Sequence, residues 1–198
     1  MELGLVPQRF HFPKNCNFSS DYLLFMTEKK EKILESALEL FANQGYTSTA
    51  TSKIAREAGV SEGLIFRHFG NKAGLLRAIM EEGNRRLREL IAPVLAETDP
   101  AAVVQKTIEM PFGVPESEYD FWRLQFKLKW DEEYYNPDNI KPLTEKLVWA
   151  FTALNFEDPE MEAQLLVQYN DTIGVDMIRG VIRDRPAFKS FLLKKYEL

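Results

Sequence analysis

Residues 49–72 read TATSKIAREAGVSEGLIFRHFGNK, and the spacing inside this stretch decides the fold. Thr49 has the side chain of an N-cap, a hydroxyl able to accept from an orphan amide of a first helical turn. Ile54, Ala55 and Ala58 then give one apolar face at helical spacing. Gly59 follows where a helix commonly ends on a left-handed residue, a conformation that glycine adopts without strain. Val60 plugs the corner. Ser61 is placed to cap a second helix, Glu62 to His68, with Ile65 and Phe69 on its apolar side. Helix, glycine turn and capped short helix make a helix-turn-helix, in which the second helix enters the major groove of DNA. Ala55 is small where the two helices cross. Gly63 and Leu64 give the second helix a slim, uncharged front, and Arg67, His68 and Lys72 offer partners for phosphates or bases.

Working outward, Glu28 to Met80 resembles the N-terminal domain of the TetR family of bacterial transcriptional regulators. The landmarks are ILESALELFANQGY, the T-x-x-x-x-IA-x-x-AGVS core and LIFRHFGNK-x-x-LL, which together cover about a quarter of the chain. The resemblance implies an all-α protein of about nine helices: an N-terminal three-helix DNA-binding domain and a C-terminal helical ligand-binding and dimerisation domain. It implies a homodimer on a palindromic operator, released by a small effector, with no cofactor. Position by position, Lys72 matches the lysine that clamps a phosphate after the recognition helix. Thr49 and Thr51 match hydroxyls that hold the DNA backbone, and Ser61 and Gly63 lie at the tip. Ser52 stands where some members carry a base-reading arginine. Phe66 stands where tyrosine is usual, which removes a phosphate bond and leaves ring packing. Glu62 departs from the family pattern; it would repel phosphate or accept from cytosine N4. Arg67 is the best candidate for guanine O6 and N7, and Leu64 for a thymine methyl.

The chain has 198 residues, 45% of them apolar, and a net charge of −5. That charge is unevenly spread. Residues 27–80 hold 8 basic and 6 acidic side chains, net +2, and residues 81–198 hold 15 and 22, net −7. The only net-positive third is the one with the helix-turn-helix, so DNA would meet one face. Cys16 is the sole cysteine, which excludes an internal disulfide and fits a reducing cytosol. No apolar run is long enough to span a membrane, and residues 1–26 lack the order of a signal peptide.

Residues 1–26 read as an irregular N-terminal arm, with a minor-groove role for Arg9 and Lys14 as an alternative. The DNA-binding domain is expected over 27–72. Its first helix should run from Glu28 to Gln44, capped by Thr27, striped by Ile33, Leu34, Ala37, Leu38, Leu40 and Phe41, and stopped by Gly45. The ligand-binding and dimerisation domain is expected over 73–198. Helix 4 starts near Lys72, with interruptions at Gly83 and Pro93; Arg85, Arg86 and Arg88 read as a solvated face paired with Glu81, Glu82 and Glu89. Five more helices are expected over 100–110, 115–132, 139–154, 158–183 and 186–196, several with first-turn prolines.

Nothing in the sequence looks catalytic. His11 and His68 are isolated, and no metal-ligand cluster, glycine-rich phosphate loop or nucleophile elbow is present. Aromatic density is the mark of the second domain. Trp122, Phe126 and Trp130 recur every four residues, followed by Trp149 and Tyr169. Two readings stay open: plain core, or an apolar effector pocket with Gln125, Asn170 and Asp171 as polar anchors. The stretch MEAQLLVQYNDTIGVDMIRGVI resembles the family's eighth helix. Leu165, Leu166, Tyr169, Ile173, Met177 and Val181 would bury one side, against a partner or within the chain, with Gly174 and Gly180 allowing close approach. The competing functions are a helical ligand-binding protein whose helix-turn-helix contacts protein, and an enzyme with a vestigial reading head, against which the absence of a catalytic cluster argues.

Overall fold

In the computed structural model the described residues are 21–129 and 136–196, with the backbone alone for 21–27. Among them are nine α-helices and no strand: α1 Asp21–Gln44, α2 Thr51–Glu57, α3 Glu62–Phe69, α4 Lys72–Leu95, α5 Pro100–Glu109, α6 Tyr119–Leu128, α7 Lys141–Ala153, α8 Pro159–Ile178 and α9 Arg185–Lys195. The all-α expectation, a three-helix reading head followed by a helical domain, is what the chain forms. Packing divides it into two compact units. One holds the described residues up to Glu82 with Asp120–Gln125; the other holds Gly83–Tyr119 and the residues from Phe126 onward.

The first unit is built on the stripe of α1. Ile33, Ala37 and Phe41 are wholly buried, as are Ile54 of α2, Ile65 of α3 and Leu75 and Leu76 of α4. Burying a side chain of this kind contributes roughly 1.5–3 kcal/mol each, so this cluster, rather than helix propensity, holds α2 and α3 in place. Gly45 ends α1 with φ +87, its amide bonded to the Phe41 carbonyl. The start of α1 differs from expectation. The helix already includes Asp21–Met26, within the stretch read as irregular, and Thr27 lies inside it rather than capping it. Leu23, Leu24 and Met26 are good helix formers, which extends the helix upstream. Residues 1–20, with the proposed arm residues Arg9 and Lys14, lie outside the described residues.

The core of the second unit joins Val103, Val104 and Ile108 of α5 to Leu147, Ala150 and Phe151 of α7, Ala163, Leu166, Ile173 and Met177 of α8, and Leu192 and Tyr196 of α9. Three of these helices start alike. Asp99, Asp158 and Asp184 each accept from an amide three residues on (Ala102, Met161 and Ala187, at 2.9, 3.1 and 3.0 Å), with proline in the first turn. Three expectations are corrected. α4 runs through Gly83 and Pro93 unbroken; Pro93 sits two residues from the helix end, where its missing amide forfeits a single hydrogen bond. Arg86 meets Glu118, and Arg85 pairs with Glu89 as expected. The segment 115–132 opens on a short 3-10 turn at Glu116–Glu118, and α6 is only ten residues long. Finally, α8 stops at Ile178, because Gly180 takes φ +69 and closes the helix.

That stop removes Gly180 from the role of close-approach residue. Gly174 does permit an approach, but the seat is filled from within: the Phe126 ring lies 2.8 Å from where a β-carbon would stand. Leu166, Ile173 and Met177 are buried in the chain's own core, whereas Tyr169 and Val181 are exposed.

Candidate nucleic-acid interface

The turn between α2 and α3 is a complete Schellman motif. The Val60 amide donates to the Ala55 carbonyl at 2.9 Å and the Gly59 amide to Arg56 at 3.2 Å, with Gly59 at φ +64. Both bonds fix the direction in which α3 leaves. α3 then buries Ile65 and turns Gly63, Phe66 and Arg67 outward, residues three and four apart that share one face. Phe66 is 45% exposed, and nothing lies within 4 Å of where a β-carbon on Gly63 would stand. The outer face of α3 is thus a flat front at one end and a ring with a guanidinium at the other.

The remaining residues separate into three groups. Ser61 is the N-cap of α3 by backbone conformation, but its hydroxyl makes no capping bond; it and Ser52 are exposed. Leu64 and His68 are half-buried on the flank. The His68 Nε2 is buried without a partner among the described residues. Burial first, then the charges of Arg67 and Lys30, hold its pKa below the ordinary histidine value. It is therefore a neutral ring at physiological pH, not a third cation. Lys72 is half-buried as well. Its ammonium lies 4.4 Å from the centre of the Tyr46 ring and donates to the Thr47 carbonyl at 3.3 Å; burial lowers its pKa.

Thr49 is a correction. The N-cap of α2 is Ala50, with no side-chain bond, and Thr49 is 1% exposed. Its hydroxyl donates inward, to Gly45 at 2.9 Å and toward Leu40 at 3.4 Å, so it cannot reach a phosphate. Thr51 is half-buried, and its hydroxyl donates to Glu62 Oε1 at 2.5 Å, across the start of the two helices. The sequence reading missed three supports of Lys72. Asn71 caps α4, its Oδ1 accepting from the Gly74 amide at 2.8 Å. Gly74 has no room for a β-carbon, which would run into the Phe69 carbonyl. Tyr46 supplies the ring beside the ammonium. An asparagine immediately before a helix was the available signal for the first.

The candidate effector residues are distributed over the two units. Asn170 on α8 donates to the Thr107 carbonyl on α5 at 2.9 Å and leaves its Oδ1 buried, without a partner among the described residues. Phe126 sits one turn further along α8, against Gly174. Tyr169 points outward, and Trp149 is exposed with the Lys146 ammonium 4.3 Å from its ring centre. Trp122 packs on Phe121 at 5.4 Å, and Gln125 keeps a buried Nε2 without a partner among the described residues; both belong to the first unit. Trp130 lies outside the described residues. Asp171 pairs with Lys129. Among the described residues no group of three metal-ligating side chains occurs, and no helix is long and apolar enough to cross a membrane.

Residues 33–79 match the family of bacterial regulatory proteins of the tetR type. The chain is similar to the uncharacterized HTH-type transcriptional regulator YerO of Bacillus subtilis, 29% identical over 75% of this chain and 49% of that protein. It is 36% identical to the HTH-type transcriptional regulator AcrR of Shigella flexneri, over 41% of this chain and 39% of that one. The chain thus spans about half, or less, of these relatives' length. Among solved structures, the regulator FadR of Bacillus subtilis in complex with stearoyl-CoA has the same fold, with a TM-score of 0.63 at 19% identity, over 82% of this chain and 95% of that one.

Proposed function

The chain belongs to the TetR family of bacterial regulatory proteins, and from that premise we propose that it is a cytoplasmic transcriptional repressor. It grips a palindromic operator as a homodimer and is released by a small apolar or amphipathic effector. The observation that carries the reading is the outward face of α3, where Gly63, Phe66 and Arg67 share one exposed side while Ile65 anchors the other. In this reading residues 27–72 read DNA and residues 73–198 bind effector and partner. Arg67 reads a guanine edge, Leu64 a thymine methyl, and Ser52, Ser61 and Phe66 border the backbone. Lys72 holds a phosphate, aided by the amides at the start of α4.

One head makes too few such contacts to bind tightly. Two heads on one particle turn the second contact into an intramolecular event and impose the palindrome. An effector that prefers the form with misplaced heads by a few kcal/mol is then enough to release the operator. The likeness to a regulator solved with stearoyl-CoA, together with Phe126 and an Asn170 Oδ1 that is buried without a partner among the described residues, supports an effector with a long apolar body and a polar end.

The test is a mobility-shift and footprint series on the duplex upstream of the chain's own gene. Lys72→Ala should weaken binding on all sequences and lower the salt slope by about 1. Arg67→Ala should cost roughly 1–3 kcal/mol and relax preference at one base position. An unchanged footprint and salt slope in both variants would overturn the assignment.

A further inference from the structure

Thr51 and Glu62 stand at the N-termini of the two reading helices, eleven residues apart, and the fold joins them through one hydrogen bond of 2.5 Å. The bond has a direction. A threonine hydroxyl carries one proton, and here that proton goes to Glu62 Oε1, so it cannot also be donated to a DNA phosphate. The bond engages one of the two carboxylate oxygens. Glu62 is the first residue of α3, the end that a helix of this kind turns toward base edges. A carboxylate there accepts and never donates. In the major groove the donors it can meet are the exocyclic amino groups of cytosine (N4) and adenine (N6); guanine and thymine present acceptors at that edge.

We propose that Glu62 selects an amino-bearing base at one position of each half-site, and that Thr51 is a positioning residue that aims its carboxylate. The inference rests on the DNA-binding reading above. Without Thr51 the Glu62 side chain would have three free torsions next to a phosphate backbone that repels it. With the bond, one oxygen is anchored in protein, which restricts where the second can accept. The cost in non-specific attraction is the reason for the device: a negative charge at the tip weakens binding to every duplex and rewards only one whose amino group lies on the strand and at the position that Glu62 reaches.

Selection from a half-site library randomised at each position tests this with the full-length chain. The unaltered chain should enrich cytosine or adenine at one symmetric pair of positions; which of the two appears tells cytosine N4 from adenine N6. Glu62→Gln should reduce that discrimination by about 5- to 10-fold per half-site while tightening binding to random duplex, because a repulsive charge is gone. Thr51→Val should lose much of the discrimination with the salt slope unchanged, and Thr51→Ser should restore it. If Glu62→Gln tightens binding to all duplexes equally and leaves every base preference intact, Glu62 only repels and the inference fails, although the DNA-binding reading stands. If the unaltered chain binds no duplex at low salt, both fail together.

Discussion

The Thr49 hydroxyl donates to the Gly45 carbonyl from a side chain that is almost wholly out of water. That bond ties the end of α1 to the start of α2, and a carbonyl left unpaired in such a place costs about 1–3 kcal/mol. Thr49→Val keeps the shape and removes the donor. It should lower the unfolding free energy by that amount, read as a lower urea midpoint at unchanged slope, and weaken DNA binding only in proportion to the unfolded fraction. His68 gives a second residue-level prediction. Burial, then Arg67 and Lys30, lower its pKa in the fold, so the unfolded chain takes up the proton first. Stability from the neutral ring is complete above the unfolded value of about 6.5 and is lost as pH falls below it. The stability difference between pH 7.5 and pH 5.5 should therefore shrink in His68→Gln. The sequence shows that a hydroxyl or an imidazole is present, but not which way it points. Thr49 looked like a cap and Thr51 like a phosphate donor because both stand where helices begin; direction came only from the groups packed around them.

At the scale of elements, the same stop closes three helices. Val60 to Ala55, Phe156 to Phe151 and Val181 to Asp176 are six-residue closures of 2.9, 3.1 and 2.9 Å, each with a left-handed residue inside. Gly59 and Gly180 fill two of them; Asn155, at φ 60, fills the third. Glycine makes the Gly59 stop legible from sequence, the break before Asn155 falls at 154 as expected, and the Gly180 stop was missed because that glycine reads as a close-approach residue. Gly59→Ala should cost about 1–2 kcal/mol, measured by denaturant unfolding, and should also reduce operator affinity because α3 loses its aim. Asn155→Gly, in the other unit, should change stability little and leave DNA binding alone. The same contrast explains α4. Gly83 and Pro93 are breakers by propensity, but both are embedded in a helix whose Ile79, Ile91 and Val94 are buried, and packing outweighs one lost bond.

For the whole molecule, the DNA-binding half could be read from the sequence because its glycines, caps and apolar spacing are local. The rest could be read only as a set of helices, since which faces meet is decided by residues far apart in the chain. Phe126 against Gly174 and Asn170 against Thr107 have no local signature. The same limit applies to assembly. Leu166, Ile173 and Met177, expected at a dimer surface, belong to the chain's own core, so any partner must use what is left outside. The exposed apolar side chains of α8, α9 and the turn between them are Met161, Tyr169, Val181, Phe188 and Phe191, the last 64% exposed. Several large apolar groups left in water on two consecutive helices are characteristic of a surface that pairs with another. Phe191→Glu puts a charge at the most exposed ring without disturbing the buried Leu192. Sedimentation should show a dimer for the unaltered chain and a monomer for the variant. Affinity for the palindrome should fall by a factor of about 100 or more, through loss of the linked second contact, while binding to a single half-site stays the same. A variant that remains dimeric would move the interface off α9, and one that is monomeric yet still grips the palindrome would remove the need for two heads.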